Sequence, residues 1–229
     1  MRTVIFWYVE NGVLYTYDSY DDLGLLLSSK TIGAATPKLL TVDIPAGDGE
    51  LDYTDYFGGI VNYNNRALSF NFTDIGNRRE FLNKYSRLQN LFNGRKMNVT
   101  LSEDAGFHYI GRVIVNEWVS EKNIGKITID VNAEPYKLKN APTVIYRTIT
   151  EETAINCRNL KKTVEAKIEF TTDGAKGEVS LGGESSSEFE RVCKDTVLFS
   201  EGDNVLTVKP SSGATLPMGV RIEYQEGSL

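Results

Sequence analysis

Only one stretch of this 229-residue chain repeats its apolar residues at helical spacing. Phe81, Tyr85, Leu88 and Phe92 recur three or four residues apart, and Leu82 and Leu91 widen the stripe. The pattern predicts a helix from about Arg78 to Phe92. Asn77 followed by Glu80 fits a capping-box-like start, and Gly94 stands where a left-handed C-terminal cap falls. Arg78, Arg79, Lys84 and Arg87 face away from the stripe. A lone amphipathic helix of this kind is read as packed on its own sheet rather than as a partner surface.

Almost everything else reads as strand. Val4 to Val9 and Val13 to Tyr17 flank Glu10-Asn11-Gly12, in which Asn-Gly signals a tight hairpin. Leu68, Phe70 and Phe72 alternate with smaller or polar residues, and Asn64-Asn65 before them suit the left-handed conformations of a second tight hairpin. Residues 47–59 are acidic, aromatic and glycine-rich and read as a loop. After the helix come strands at residues 97–101, 109–119 and 126–132, with Asn123-Ile124-Gly125 turning between the last two. Residues 135–142 are short, basic and bounded by prolines, as a fairly stiff linker is. Beyond them no helical period occurs. Val164, Ala166, Ile168 and Phe170 alternate, as do Val220, Ile222 and Tyr224, and turn clusters break the stretch into short strands. The length suits two β domains of roughly 100 residues each.

Composition narrows the function by exclusion. A net charge of −6 and a pI near 5.0 disfavour a sequence-specific nucleic-acid binder, which needs a basic patch to displace counterions. They also disfavour docking on an anionic membrane, and no stretch approaches the ~20 apolar residues of a membrane span. The apolar run at residues 4–9 is cut short by Glu10-Asn11-Gly12, so no secretory signal is expected. Cys157 and Cys193 match no metal motif and read as the reduced thiols of a protein made in a cytoplasm.

Catalytic chemistry is thin. His108 is the chain's one histidine and no nucleophile context accompanies it. Asp18, Asp21 and Asp22 lack calcium-loop spacing and read as a solvated acidic turn. Adjacent pairs such as Glu103-Asp104 do not set two carboxyls across a cleft. No catalytic, metal or cofactor site is expected.

Five pieces recur in a telling order. They are Asp22-Leu23-Gly24, the loop from Ile44 to Gly49, Tyr63-x-x-Arg66, a helix ending in Asn93-Gly94, and Tyr109-x-Gly111-Arg112. In this order they resemble the distal tail proteins of long-tailed, non-contractile bacteriophages. Ala46 departs from the glycine usual in that family's loop. The resemblance covers residues 1–138 well. The remainder looks like the family's galectin-like sandwich, with Glu201-Gly202-Asp203-Asn204 and a final Val-Arg-Ile-Glu-Tyr strand.

The resemblance implies a mainly β fold. An N-terminal β-barrel or sandwich-like domain with one α-helix spans residues 1–137 and forms the ring. A C-terminal antiparallel β-sandwich, a galectin-like jelly roll, spans 138–229. It further implies a structural protein of the virion's tail tip, or baseplate hub, assembled in the host cytoplasm. Six copies form a ring, single or as two rings back to back, around the DNA channel. The ring joins the tail tube protein to the tail-associated lysin or spike protein, with receptor-binding proteins or side fibres at its periphery. Candidate subunit-interface residues are Asp21, Asp22, Leu23, Gly24, Asp48, Tyr53, Arg66, Arg78, Arg79 and Arg112. The alternative is a carbohydrate-binding module aiding adsorption to the host cell wall. The turns between Thr172 and Ser187 lack the aromatics such sites use, and Trp7 and Trp118 lie in strands of the other domain.

Overall fold

The computed structural model describes residues 2–56, 59–74, 78–121 and 124–229. The chain divides into two compact units, Met1–Lys137 and Leu138–Leu229. Both are built of antiparallel β-structure, so the fold is mainly β, as the sequence predicts.

In the first unit the strands are β1 (Val4–Glu10), β2 (Val13–Asp18), β3 (Leu26–Ile32), β4 (Thr41–Asp43), β5 (Glu50–Asp52) and β6 (Arg66–Asp74). Helix α1 (Arg78–Phe92) follows, then β7 (Lys96–Leu101), β8 (Phe107–Glu121) and β9 (Ile124–Ala133). β1 and β2 pair around Asn11 and Gly12, whose φ of 52° and 77° are those of the tight turn that Asn-Gly favours. The main sheet runs β2-β1-β7-β8-β9-β6-β3. It is strongly curled: the rings of Phe6 on β1 and Phe70 on β6 lie 6.2 Å apart, although three strands separate them in the sheet. Twist accumulated over seven strands lets one face enclose a core while β2 and β3 remain edges.

The helix sits on that concave face, as its stripe predicts. Phe81, Leu88 and Phe92 are buried; Phe92 packs 5.1 Å from Phe6 and 5.4 Å from Tyr17. Leu82, read as part of the stripe, is exposed instead, since it lies beyond the arc the sheet can cover. A bulge between Val115 and Trp118 turns the Trp118 ring inward against Phe81 and Tyr85. Gly125 is required beneath it, because a Cβ there would lie 2.3 Å from the indole. At the helix end Gly94 takes φ 78° and its N–H donates to Val113 O at 2.8 Å, while Asn93 Oδ1 accepts from Val115 N. Asn77, the expected cap, and Asn123 of the expected turn lie outside the described residues; Ile124 and Gly125 already belong to β9.

The expected stiff linker is partly a strand, β10 (Lys137–Lys139). Lys139 N–H donates to Glu226 O, and its ammonium pairs with the Glu226 carboxylate. The second unit contains β11 (Thr143–Ile149), β12 (Thr153–Asn159), β13 (Val164–Phe170), β14 (Gly177–Leu181) and β15 (Glu184–Ser185). It ends with β16 (Val197–Phe199), β17 (Gly202–Pro210), β18 (Met218–Tyr224) and β19 (Gly227–Ser228). Two four-stranded sheets, β11-β18-β13-β16 and β12-β17-β14-β15, enclose Cys157, Ile168, Phe199, Leu206, Val208 and Ile222. Asn204 earns its place in the Gly202-Asp203-Asn204 turn: its Nδ2 donates to the carbonyls of Cys157, Ser200 and Gly202, and its Oδ1 accepts from Ser200 N.

Two acids in this sandwich core are held protonated. Burial pushes the Cys157 thiol up to about 11, and burial, then the charges of Cys157 and Glu226, push the Tyr224 phenol up to about 12. Tyr224 also donates its O–H to Arg158 O at 2.7 Å, which favours the neutral form. In the unfolded chain these groups ionise nearer 9 and 10. Their contribution to stability is therefore present below pH 9 and is lost as pH rises through about 11 and 12. At pH 8 a bulky thiol reagent should label Cys193 in the native protein and leave Cys157 untouched. Labelling of Cys157 should begin only as the second unit unfolds, at lower denaturant as pH rises above 9. Equal labelling of both thiols at pH 8 contradicts this.

Candidate assembly surface

The turn after β2 is organised by its own acids. Asp18 Oδ1 accepts from the N–H groups of Tyr20 and Asp21 at 2.7 and 3.1 Å, and Asp22 Oδ2 accepts from Asp18 N at 2.7 Å. This is the local competition for backbone donors that makes Asp a turn residue. Leu23 and Leu25 drop into the core, so Leu23 is an internal anchor rather than a contact group. Gly24 adopts φ 62°, and a Cβ there would lie 3.2 Å from Lys84 Nζ, which reaches past it to Asp74 at 2.9 Å. Asp21 and Asp22 remain exposed.

Residues 39–56 and 59–60, nearly all of them solvent-exposed, make up an arm. What reads in sequence as a loop contains a small hairpin, with Thr41, Val42 and Asp43 opposite Asp52, Leu51 and Glu50. Ala46 holds the turn at φ 59°, a left-handed conformation that costs a non-glycine residue about 1–2 kcal/mol. The loop thus keeps the conformation glycine would favour. Asp48 is exposed at the tip. Tyr53 donates its N–H to Leu40 O at 2.8 Å, and its ring meets that of Tyr56 edge-on at 5.8 Å. Threonine 54 closes the base, its Oγ1 accepting from Leu40 N and its N–H donating to Asp52 Oδ1. Hydrogen bonds from Thr54 to the Asp52 carboxyl, from its side chain first and then from its N–H, hold that carboxyl below its usual range. The arm leaves Leu39, Leu40, Val42, Leu51, Tyr56 and Ile60 in solvent, with Leu39 66% and Tyr56 72% exposed. Phe57 and Gly58 lie outside the described residues.

Two of the sequence motifs meet each other. Arg66 is buried; its Nε donates to Gly33 O at 2.8 Å, its Nη1 to Pro135 O at 3.3 Å, and its guanidinium lies 5.5 Å from the Tyr109 ring centroid. It is a stitch within the unit and does not reach the acids of the turn or the arm. Gly111 follows because β8 crosses β9 closely there: a Cβ would lie 2.6 Å from Asn132 O and 2.7 Å from Ala133 Cα. Arg112 is exposed, and its Nη1 donates to Gly94 O at the end of α1. Tyr63 and Arg66 do not flank a tight hairpin. Tyr63 bridges Pro37, Asn64 N–H donates to Thr36 O, and neither asparagine is left-handed. The backbones of Arg78 and Arg79 open α1, and their side chains lie outside the described residues.

His108 is buried with its ring 5.1 Å from that of Trp7. Among the described residues no group of three His, Cys, Asp or Glu is placed to hold a metal ion, and no helix is long and apolar enough to cross a membrane. Sequence reasoning singled out the arm's loop, with Asp48 and Tyr53, as a contact candidate but missed its hairpin and its exposed apolar residues. The hairpin's signal was weak: two three-residue strands around a six-residue turn, with no alternation long enough to read.

No family model matches the chain, and no curated protein sequence matches it. Its fold is nonetheless that of a distal tail protein, the class its motif order resembles. The particular likeness is to the crystal structure of the Dit protein (gp 19.1) of SPP1, described as a paradigm of the hub adsorption apparatus in phages infecting Gram-positive hosts. The TM-score is 0.67, with 15% identity over 100% of each chain.

The packing of Arg66 makes a direct prediction. Arg66→Ala leaves two carbonyls without their donor and should destabilise the first unit by about 1–3 kcal/mol. Arg112→Ala, at an exposed position, should change it by about 0.5 kcal/mol or less. Trp7 and Trp118, the chain's two tryptophans, both lie in this unit, so denaturant titration by tryptophan emission reads the difference. Equal effects of the two substitutions contradict the assignment.

Proposed function

We propose that this chain is a structural protein of a phage tail tip. Six copies close a ring, single or paired back to back, around the DNA channel. The ring joins the tail tube to the tail-associated lysin or spike, with receptor-binding proteins or side fibres at its periphery. The first unit builds the ring, and the chain has no catalytic activity of its own. The observation that carries this reading is the full-length likeness to a solved distal tail protein, spanning both units at once.

The arm supports it physically. A two-stranded hairpin by itself is marginal in water, and contiguous exposed apolar groups mark contact surfaces. The arm has both properties, and a neighbouring protomer would cover it. Closed rings arise from head-to-tail contacts between two different patches. The arm, with Asp48 and Tyr53, is one patch; the turn with Asp21, Asp22 and Gly24, together with Arg78, Arg79 and Arg112, contributes to the other. Charged groups at such a rim fix register more than affinity.

Six copies of 25.6 kDa give a species of about 154 kDa. Light scattering after size exclusion at micromolar concentration should find this mass or its double, with sixfold rings in negative stain. Val42→Asp with Leu51→Asp should leave a folded monomer with unchanged tryptophan emission. High salt should weaken the ring only partly. A stable dimer that never forms rings, or rings indifferent to the double substitution, contradicts the proposal.

A further inference from the structure

One face of the second unit presents chemistry that the packing of the sandwich does not use. Register sets Tyr146 on β11 opposite Arg221 on β18, and Arg221 opposite Glu169 on β13. Val144, Glu223 and Lys167 form the adjoining row. Tyr146 is 62% exposed, an aromatic ring on the outer side of its strand. The ring is nonetheless fixed: Arg221 Nε donates to its hydroxyl at 3.0 Å, and the guanidinium lies 5.9 Å from its centroid. The same guanidinium pairs with Glu223 at 2.5 Å and Glu169 at 3.5 Å.

We propose that this face is a saccharide-binding site in which Tyr146 stacks on the C–H face of a pyranose and Arg221, Glu169 and Glu223 take its hydroxyls. A sugar ring offers one apolar face and a rim of hydroxyls that both donate and accept. It therefore needs an aromatic platform with donors and acceptors at its edge. Tyr146 supplies the platform, Arg221 the donors and the two glutamates the acceptors. Around the Tyr146 ring Arg221 and Lys167 balance Glu169 and Glu223, an arrangement that suits a neutral glycan over a phosphate or a cation. β18 is hydrogen-bonded on both sides, by β11 and β13, so the array is preorganised and binding orders little. The pairing is not visible in the sequence, where a carbohydrate-binding module is the alternative reading, because Tyr146 and Arg221 are 75 residues apart.

The full-length protein should be screened on an array of neutral pyranose oligosaccharides that includes bacterial cell-wall glycans. The tightest binder should then be titrated by NMR. Shifts should centre on β11, β13 and β18. Tyr146→Ala should weaken binding about five- to tenfold, Tyr146→Phe should retain most of it, and Glu169→Gln should weaken it severalfold. Protection of the Cys157 thiol confirms that each variant is folded. Binding occurs whether the chain is free or in a ring, so it stands or falls separately from assembly. Absence of any bound pyranose overturns the proposal, as do binding indifferent to Tyr146→Ala and a tail protein occupying the face instead.

Discussion

The first unit depends on the curl that brings Phe6 against both Phe92 and Phe70. A flat seven-stranded sheet would leave Phe6 and Phe70 on distant strands and Phe92 of α1 without a pocket. Curling closes a concavity of the right size for one helix, which is why one helix is what the chain supplies. The remaining local choices follow from that concavity. Gly111 lets β8 approach β9, the bulge after Val115 turns Trp118 under α1, and Arg66 ties Gly33 and Pro135 together at the other end of β6.

This changes the meaning of the sequence motifs. Leu23, Gly24, Arg66, Tyr109 and Gly111 are spaced as they are because the curled sheet needs them. Four of the five have their side chain or missing side chain packed within the unit. The exposed groups are the acids Asp21 and Asp22 of the β2–β3 turn, Arg112 and the apolar residues of the arm. A motif order typical of one family can thus report a fold.

What was legible in the sequence was local. The helix shows through its 3.6-residue stripe, the β1–β2 hairpin through Asn-Gly, and the sandwich strands through alternation at residues 164–170 and 220–224. Strand order was not legible, since β1 pairs with β7 some ninety residues away and nothing in either segment names the other. Leu82 and Asn64-Asn65 misled for a related reason: helical spacing and asparagine permit burial and tight turns, but tertiary packing decides whether they occur. The arm fell below the length at which periodicity can be read. The Tyr146–Arg221 face exists only once three strands are aligned.

A ring built by the first unit requires the arm to lie in a contact between copies of the chain. Electron cryomicroscopy of the assembled particle at side-chain resolution tests it most directly. The expected map is a sixfold ring in which Leu39, Val42, Leu51 and Tyr56 of each protomer lie buried on the next one around. A ring whose protomers meet through other surfaces, leaving those side chains in solvent, would contradict it.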